Sequence, residues 1–156
     1  MDILRKELNS IYDAQKLNEE KLNLNEVERC KKIAESFTYI SNGCSVITDA
    51  SCDRCILFGA SLGKLLGISD ICPVVRVIDS SDEDVIYSLM HPEDLVEKRM
   101  LEYEFFKFIN PLTASEKLNY QATCRLRLKT PQNAYILIDN TTQIICPSPK
   151  GKIWLI

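Results

Sequence analysis

The clearest pattern in this chain is an alternation of apolar and polar residues over positions 118–129, which read Leu-Asn-Tyr-Gln-Ala-Thr-Cys-Arg-Leu-Arg-Leu-Lys. Successive side chains of a β-strand point to opposite faces, so the pattern predicts a strand with one face in a core and the other in water. Two more apolar runs follow at 134–146 and 152–156, after breakers at 130–133 and 147–151. The last third of the chain is therefore predicted to be a three-stranded antiparallel meander.

The first part of the chain is richer in charge and has helical spacing. We predict a leader of two helices over residues 1–42, the second capped by Asn25 and stopped at Ser41-Asn42-Gly43. Each helix carries a narrow apolar stripe: Leu4, Leu8 and Ile11 on the first, and Val27, Cys30, Ala34 and Phe37 on the second. Such stripes either pack on their own domain or pair with a second copy, so the leader is a candidate lid or dimer contact.

The middle of the chain predicts a hairpin followed by helices. Residues 45–48 and 55–58 are short strand candidates around a turn, and 61–68 predict one or two helical turns closed by Gly67. Residues 73–78 fit either a strand or irregular core, and Ser81 with Asp84 predicts the cap of a short helix. Pro92 with two acids in the first turn predicts a long helix that runs to Asn110.

Three short motifs give this order of elements a resemblance to PAS domains. Met90-His91-Pro92-Glu93-Asp94 is similar to the turn that opens the long helix of many PAS domains. Leu66-Gly67-Ile68-Ser69 resembles the element after their second strand, and Gly151-Lys152-Ile153-Trp154 resembles the start of their last strand. The end of the long helix, Phe105-Phe106-Lys107-Phe108, is similar to sensory modules of LuxR-type regulators of Bacteroidetes.

The resemblance covers about residues 43–156 and implies an α+β fold. In that fold a five-stranded antiparallel sheet is interrupted between its second and third strands by short helices and one long helix, here preceded by the N-terminal helices. We therefore expect a leader at 1–42, a PAS-like domain at 43–156, and a downstream output domain that these residues do not include. The apolar ending Ile153-Trp154-Leu155-Ile156 also suggests one module of a longer protein.

A PAS-like sheet packed on short helices implies a small apolar pocket for a signal molecule. The residues expected to line it are Ile47, Phe58, Leu66, Tyr120, Ala122, Cys124 and Leu126. The alternative is that they simply fill the core. No cofactor is expected. His91 is the one histidine that could serve as the axial ligand of a haem, and its position is better explained as a helix cap. The cysteine motif of the flavin-binding light sensors is absent.

Composition narrows the function classes. A net charge of −3 gives no general attraction to nucleic acid, and no window is apolar enough for a signal peptide or a membrane span, so we expect a cytoplasmic protein without membrane contact. The seven cysteines are Cys30, Cys44, Cys52, Cys55, Cys72, Cys124 and Cys146. They are expected to be structural thiols without a metal, since the Cys52-Asp53-Arg54-Cys55 spacing stands alone.

No catalytic residues are expected, because the chain has one histidine and lacks nucleophile, phosphate-loop and paired metal-ligand motifs. The sequence instead indicates a sensory or regulatory domain of a bacterial transcription regulator, acting as a homodimer. It would bind a small molecule or a partner and pass the signal to a DNA-binding helix-turn-helix domain outside this chain. The alternatives are a ligandless dimerisation scaffold and a PAS sensor of a histidine kinase or cyclase.

Overall fold

Helices open the chain and strands close it. The computed structural model describes residues 3–69, 74–78 and 84–156. Its helices are α1 (Ile3–Ala14), α2 (Leu24–Ser41), α3 (Ser61–Leu65), α4 (Asp84–Tyr87), α5 (Pro92–Ile109) and α6 (Ala114–Lys117), with a 3-10 turn at Leu17–Glu19. Its strands are β1 (Cys44–Asp49), β2 (Arg54–Gly59), β3 (Val74–Ile78), β4 (Gln121–Lys129) and β5 (Tyr135–Gln143).

Local signals explain where three of the helices begin. Helix α2 is capped by Asn23, whose side chain accepts a hydrogen bond from the N–H of Asn25, so the predicted cap is two residues too late. Helix α5 begins at Pro92 as predicted, and the His91 ring accepts the N–H of Glu93 at 3.3 Å. Helix α6 was not predicted, although Thr113 and Glu116 form a capping box around its first turn.

The strands form two small antiparallel sheets, and the expected five-stranded sheet is wrong. One sheet has three strands in the order β1-β2-β3, and the other is the β4-β5 hairpin. Residues 74–78, which are ambiguous in sequence, form β3 and pair with β2, so the segment between the hairpin and α5 contains a third strand after α3. The broader α+β class is confirmed.

The predicted last strand is reduced to two isolated bridges. Leu155 pairs with Asp49 on one side and with Cys146 on the other, so the terminal segment, residues 152–156, lies between the two sheets without joining either. The pairing of Cys146 with Leu155 does not continue into residues 147–149, because Pro147 and Pro149 have no N–H to donate. The N–H of Ser148 is also used in the tight turn, where it donates to the carbonyl of Lys152 at 2.9 Å.

Buried apolar residues form three clusters. The leader cluster lies between α2, β1, β2 and the terminal segment, and contains Leu17, Cys30, Ala34, Ile47, Phe58, Trp154 and Leu155. The central cluster contains Leu57, Leu66, Ile68, Val74, Met90, Leu126 and Leu128. The α5 cluster contains Phe105, Phe106, Ile109, Ala122, Ile144 and Ile153, with Leu8, Ile11 and Tyr12 of α1 packed against it.

Strand β4 has the predicted alternation, with a later start. Ala122, Leu126 and Leu128 are buried, whereas Thr123 and Arg125 are exposed. Residues 118–120 do not belong to the strand because the turn of α6 precedes them. The pattern therefore predicts the buried face of β4 correctly but overestimates its length.

The two leader helices are held differently. Helix α2 packs on β1 and β2 through Cys30, Ala34 and Thr38, all buried. Helix α1 packs on α5, and none of its residues is buried. Phe37 is 61% exposed, so the predicted apolar face is divided, with Cys30 and Ala34 buried and Phe37 in solvent.

Six cysteines fall within the described residues, and none of the six forms a disulfide bond. Cys72 and the predicted cap at Ser81 lie outside the described residues. Across the described ranges, no helix combines the length and the apolar character that crossing a bilayer would require.

Candidate interaction surface on helix α2

The seven residues predicted to line a pocket do not meet in one place. Ile47 and Phe58 belong to the leader cluster, Leu66 and Leu126 to the central cluster with Cys124 packed beside it, and Ala122 to the α5 cluster. Tyr120 is 45% exposed and contacts Phe108 edge to face, with ring centroids 5.1 Å apart. The structure thus distributes these residues over three clusters and the surface. A ligand pocket lined by them stays a prediction.

Charged side chains occupy the face of α5 that is turned toward the protein. Asp94, Lys98 and Glu102 are spaced four residues apart, and each is less than a tenth exposed. Lys98 forms an ion pair with Glu102, and the Tyr87 hydroxyl lies 3.2 Å from the Lys98 ammonium and 3.3 Å from the Glu102 carboxylate. Because every charge in this row has a partner, the row reads as a structural network.

Asp94 completes the row through Arg127 of β4. The guanidinium of Arg127 lowers the pKa of the Asp94 carboxyl to about 2, mainly by hydrogen bonding. The pKa of Arg127 is raised in return by its bonds to Asp94 and Glu93. The basic side chains of β4 are thus partly neutralised, since Arg125 is also paired, with Asp139 at 3.0 Å.

The cysteine and histidine candidates do not converge either. Burial raises the pKa of the Cys44 thiol to about 11, and the pKa values of Cys52, Cys124 and Cys146 are also raised, first by burial. Raised pKa values favour the unreactive protonated thiol. Within the described ranges no group of three or more His, Cys, Asp or Glu side chains is placed to hold a metal ion.

The most conspicuous exposed feature is an apolar row on α2. Ile33, Phe37 and Ile40 are 46%, 61% and 85% exposed, and we call these three residues the α2 stripe. They follow each other at four and three residues, so they form one line along the helix. Arg29, Lys32 and Ser36 flank this line.

Helical geometry explains why the stripe is free. Cys30, Ala34 and Thr38 form the row buried against the sheet. Ile33 and Phe37 each precede a buried residue by one position, and one position is about 100° of rotation around a helix. The stripe therefore faces sideways from the protein's own core.

One ion pair fixes the polar edge of the stripe. The Arg29 guanidinium lies 2.7 Å from the Glu26 carboxylate, and this hydrogen bond is the main reason that the pKa of Arg29 is raised. Lys32 is exposed beside it. The amino-terminal half of the stripe thus has two cationic side chains, one neutralised and one in solvent.

Sequence reasoning missed this surface. It places Phe37 in one stripe with Cys30 and Ala34 and leaves out Ile33 and Ile40, although both are large apolar residues on a charged helix. The signal was the second apolar row, because one contact face accounts for only one row of a helix.

No known protein-family model matches the chain, and no curated protein is similar to it in sequence.

Proposed function

We propose that this chain is a regulatory interaction module that pairs with a second copy of itself through the α2 stripe. The observation that carries the proposal is the exposure of Ile33, Phe37 and Ile40 in one line. Contiguous exposed apolar rows mark contact surfaces more often than isolated apolar residues do. The buried charges of α5 are paired, and burial raises the pKa values of Cys44, Cys52, Cys124 and Cys146, which favours recognition over catalysis.

A second copy fits the stripe because the stripe is complementary to itself. In an antiparallel pair related by a two-fold axis at Phe37, Ile33 would face Ile40 of the second copy, and the two Phe37 rings would meet at the axis. A symmetric contact of this kind makes the pairing of Ile33 with Ile40 twice, once on each side of the axis. It buries all three stripe residues on both copies.

Charge favours the antiparallel arrangement. Lys32 would then lie beside the end of α2 in the second copy, where the last carbonyls at Ser41 carry the negative end of the helix dipole. A parallel arrangement would instead bring Lys32 close to Lys32 of the second copy, which costs free energy. Electrostatics therefore select one orientation of the pair.

The wider role is proposed from the PAS resemblance. It is that of the sensory part of a cytoplasmic bacterial transcription regulator, which responds to a small molecule or a partner and controls a DNA-binding helix-turn-helix domain. Its support is the Met90-His91-Pro92-Glu93-Asp94 turn, in which His91 caps α5. The neighbouring sequence of the parent gene tests this role, and a catalytic domain there would contradict it.

The pairing is tested by replacing Phe37 with serine in the full chain. We expect the unaltered protein to be a dimer at tens of micromolar in sedimentation velocity. Phe37→Ser should raise the dissociation constant of the dimer at least about tenfold, because a central aromatic contact dominates such interfaces. Met100→Ser on α5 is the matched control, since Met100 is also apolar and is 53% exposed. It should pair like the parent.

Two results would contradict the proposal. One is a monomer at about 100 µM, where an interface of useful strength is occupied. The other is a Phe37→Ser variant that pairs as tightly as the parent. The fluorescence of Trp154, the one tryptophan of the chain, shows whether each variant is folded, because Trp154 is 1% exposed beneath α2.

A further inference from the structure

Gln15 joins the leader to the last residues of the chain by a pair of reciprocal hydrogen bonds. Its side-chain Nε2 donates to the carbonyl of Ile153 at 3.1 Å, and its Oε1 accepts the N–H of Ile153 at 2.6 Å. Gln15 is 6% exposed and 138 residues from Ile153 in sequence. The side-chain amide thus satisfies both main-chain groups of Ile153, as a neighbouring strand would.

Ion pairing reinforces this contact. The Lys152 ammonium donates to the main-chain carbonyl of Gln15 and lies 3.2 Å from a carboxylate oxygen of Glu20. The other oxygen of Glu20 accepts the N–H of Lys150 at 3.2 Å. Burial by itself would raise the pKa of Glu20, but these partners and Ser148 lower it, so the carboxylate is charged at neutral pH. We call this set of contacts the Gln15 clasp.

The clasp acts on the segment that lies between the two sheets. Thr48 and Ile156 exchange main-chain hydrogen bonds of 3.0 and 3.1 Å, which tie the segment to β1. The carbonyl of Leu155 accepts the N–H of Ile145 at 2.8 Å, and the N–H of Leu155 donates to the carbonyl of Cys146 at 2.9 Å. These bonds tie the segment to the residues after β5. Gln15 is therefore a third support for the same short segment.

Helix α1 is held to the protein without a fully buried residue. None of its residues is buried, and it contacts α5 mainly through Leu8, Ile11 and Tyr12, which are partly buried. The Tyr12 ring meets Phe106 edge to face at 5.7 Å. Elements with few buried apolar contacts open at lower free energy than the core does, so α1 has the character of a strap.

We propose that α1 and the 3-10 turn at Leu17–Glu19 open and close as one strap on the terminal segment, with the Gln15 clasp as its catch. Opening frees Ile153 and withdraws Leu17 from the leader cluster. Leu17 shares that cluster with Trp154, Cys30 and Ala34, so the strap controls how α2 is seated. Because α2 carries the stripe, the open state weakens pairing, and this last step rests on the proposed function.

The experiment is amide hydrogen exchange of the full chain, comparing the parent with Gln15→Leu. We expect exchange at residues 3–14 and 153–156 to quicken together by at least about tenfold, because both sides of the catch open in one event. Exchange in β4 and β5 should stay unchanged. Gln143→Leu is the matched control, since it makes the same chemical change at an exposed residue of β5.

A second variant covers the case in which Gln15→Leu does not fold. Lys152→Met keeps Gln15 and removes only the cationic contacts, so the same two regions should quicken by a smaller factor. The strap is overturned if either folded variant exchanges like the parent. It is also overturned if the exchange quickens equally in β4 and β5, which would show global rather than local opening.

Self-association separates this inference from the proposed function. If Phe37→Ser abolishes pairing and Gln15→Leu weakens it, the coupling is supported. If Gln15→Leu quickens exchange but pairs like the parent, the coupling step is overturned while the proposed function stands. If the parent itself is a monomer, the proposed function and the coupling step both fail, and the exchange pattern alone decides whether the strap exists.

Discussion

The side chain of Asp94, in the first turn of α5, binds both the main chain and the side chain of Arg127 in β4. Its Oδ2 accepts the main-chain N–H of Arg127 at 2.6 Å and the Nε–H at 3.0 Å, while its Oδ1 accepts Nη2–H at 2.5 Å. The N–H of His91 also donates to the carbonyl of Arg127 at 2.9 Å. The start of α5 thus covers the free edge of β4 at this residue, where unpaired main-chain groups would otherwise remain.

Replacing Asp94 with asparagine should lower the free energy of unfolding at neutral pH. It should also make that free energy less dependent on pH in the acid range. We expect a loss of about 2 kcal/mol at about pH 7, because charge-assisted hydrogen bonds to Arg127 are removed. In the folded protein the pKa of Asp94 is lowered from 3.8 to about 2. The stabilisation is therefore complete above about pH 4 and is lost as the pH falls toward 2.

Urea unfolding followed by Trp154 fluorescence measures this difference at several pH values. Since other carboxyls titrate in both proteins, the difference between parent and Asp94→Asn isolates the contribution of Asp94. That difference should shrink between about pH 4 and about pH 2. A difference that stays constant with pH would show that the carboxylate is not tied to Arg127.

The buried pair of Lys98 and Glu102 should show strong coupling. Lys98→Met should cost about 3 kcal/mol, because it leaves the buried Glu102 carboxylate without its cation. Lys98→Met combined with Glu102→Leu should cost less than the single change, since no buried charge then remains. Chemical unfolding of the two single variants and the double variant measures the coupling.

An exposed pair on the same helix provides the control. Lys107 lies 4.0 Å from Glu104, and both side chains are more than half exposed. Lys107→Met should change the free energy of unfolding by less than about 1 kcal/mol. Additive effects at Lys98 and Glu102 would contradict the coupling.

Ser45→Ala should stabilise the protein. The hydroxyl oxygen of Ser45 in β1 is buried, and among the residues that the structure describes no hydrogen-bond partner lies within reach. Removing such an oxygen recovers its desolvation cost, and we expect a gain of about 1 kcal/mol in the free energy of unfolding. Ser148→Ala is the matched control and should lose about 1 kcal/mol, because the Ser148 hydroxyl accepts the N–H of Lys152 at 3.1 Å. If Ser45→Ala is as damaging as Ser148→Ala, the Ser45 hydroxyl has a partner in solution.

Gly67→Ala should destabilise more than Gly151→Ala. Both glycines have positive φ, at 69° and 79°, so both variants carry the strain of a left-handed backbone, about 1 kcal/mol. At Gly67 the added Cβ would also lie 2.6 Å from Cγ of Pro131, whereas at Gly151 its nearest neighbours are 3.5 Å away. We expect a total loss of about 3 kcal/mol for Gly67→Ala. Equal melting temperatures for the two variants would show that Pro131 gives way without cost.

Elements with local signals were predictable from sequence. The start of α5 is one, since Pro92 fixes the backbone and His91 caps the first turn within two residues. The buried face of β4 is another, because alternation has a period that a core must respect. Helix α6 was predictable in principle, since the Thr113 and Glu116 capping box is visible as a Thr-x-x-Glu motif.

The candidate interaction surface was predictable only in part. The charge pattern indicated that α2 is a surface helix, but two apolar rows compete for its buried side. The row with the small residues Cys30 and Ala34 lies against β1 and β2, where a close approach of helix and sheet leaves little room for Phe37. Which row wins depends on the shape of the partner surface.

The helical leader, the first hairpin, the long helix and the buried face of β4 follow from local signals, because caps, turns and side-chain periods act between residues close in the chain. Long-range packing set three other features: the strands form two sheets, α2 leaves Ile33, Phe37 and Ile40 exposed, and Gln15 binds Ile153. Those outcomes depend on pairings between distant residues, which compete for the same main-chain groups and the same core volume. Local pattern does not rank such pairings.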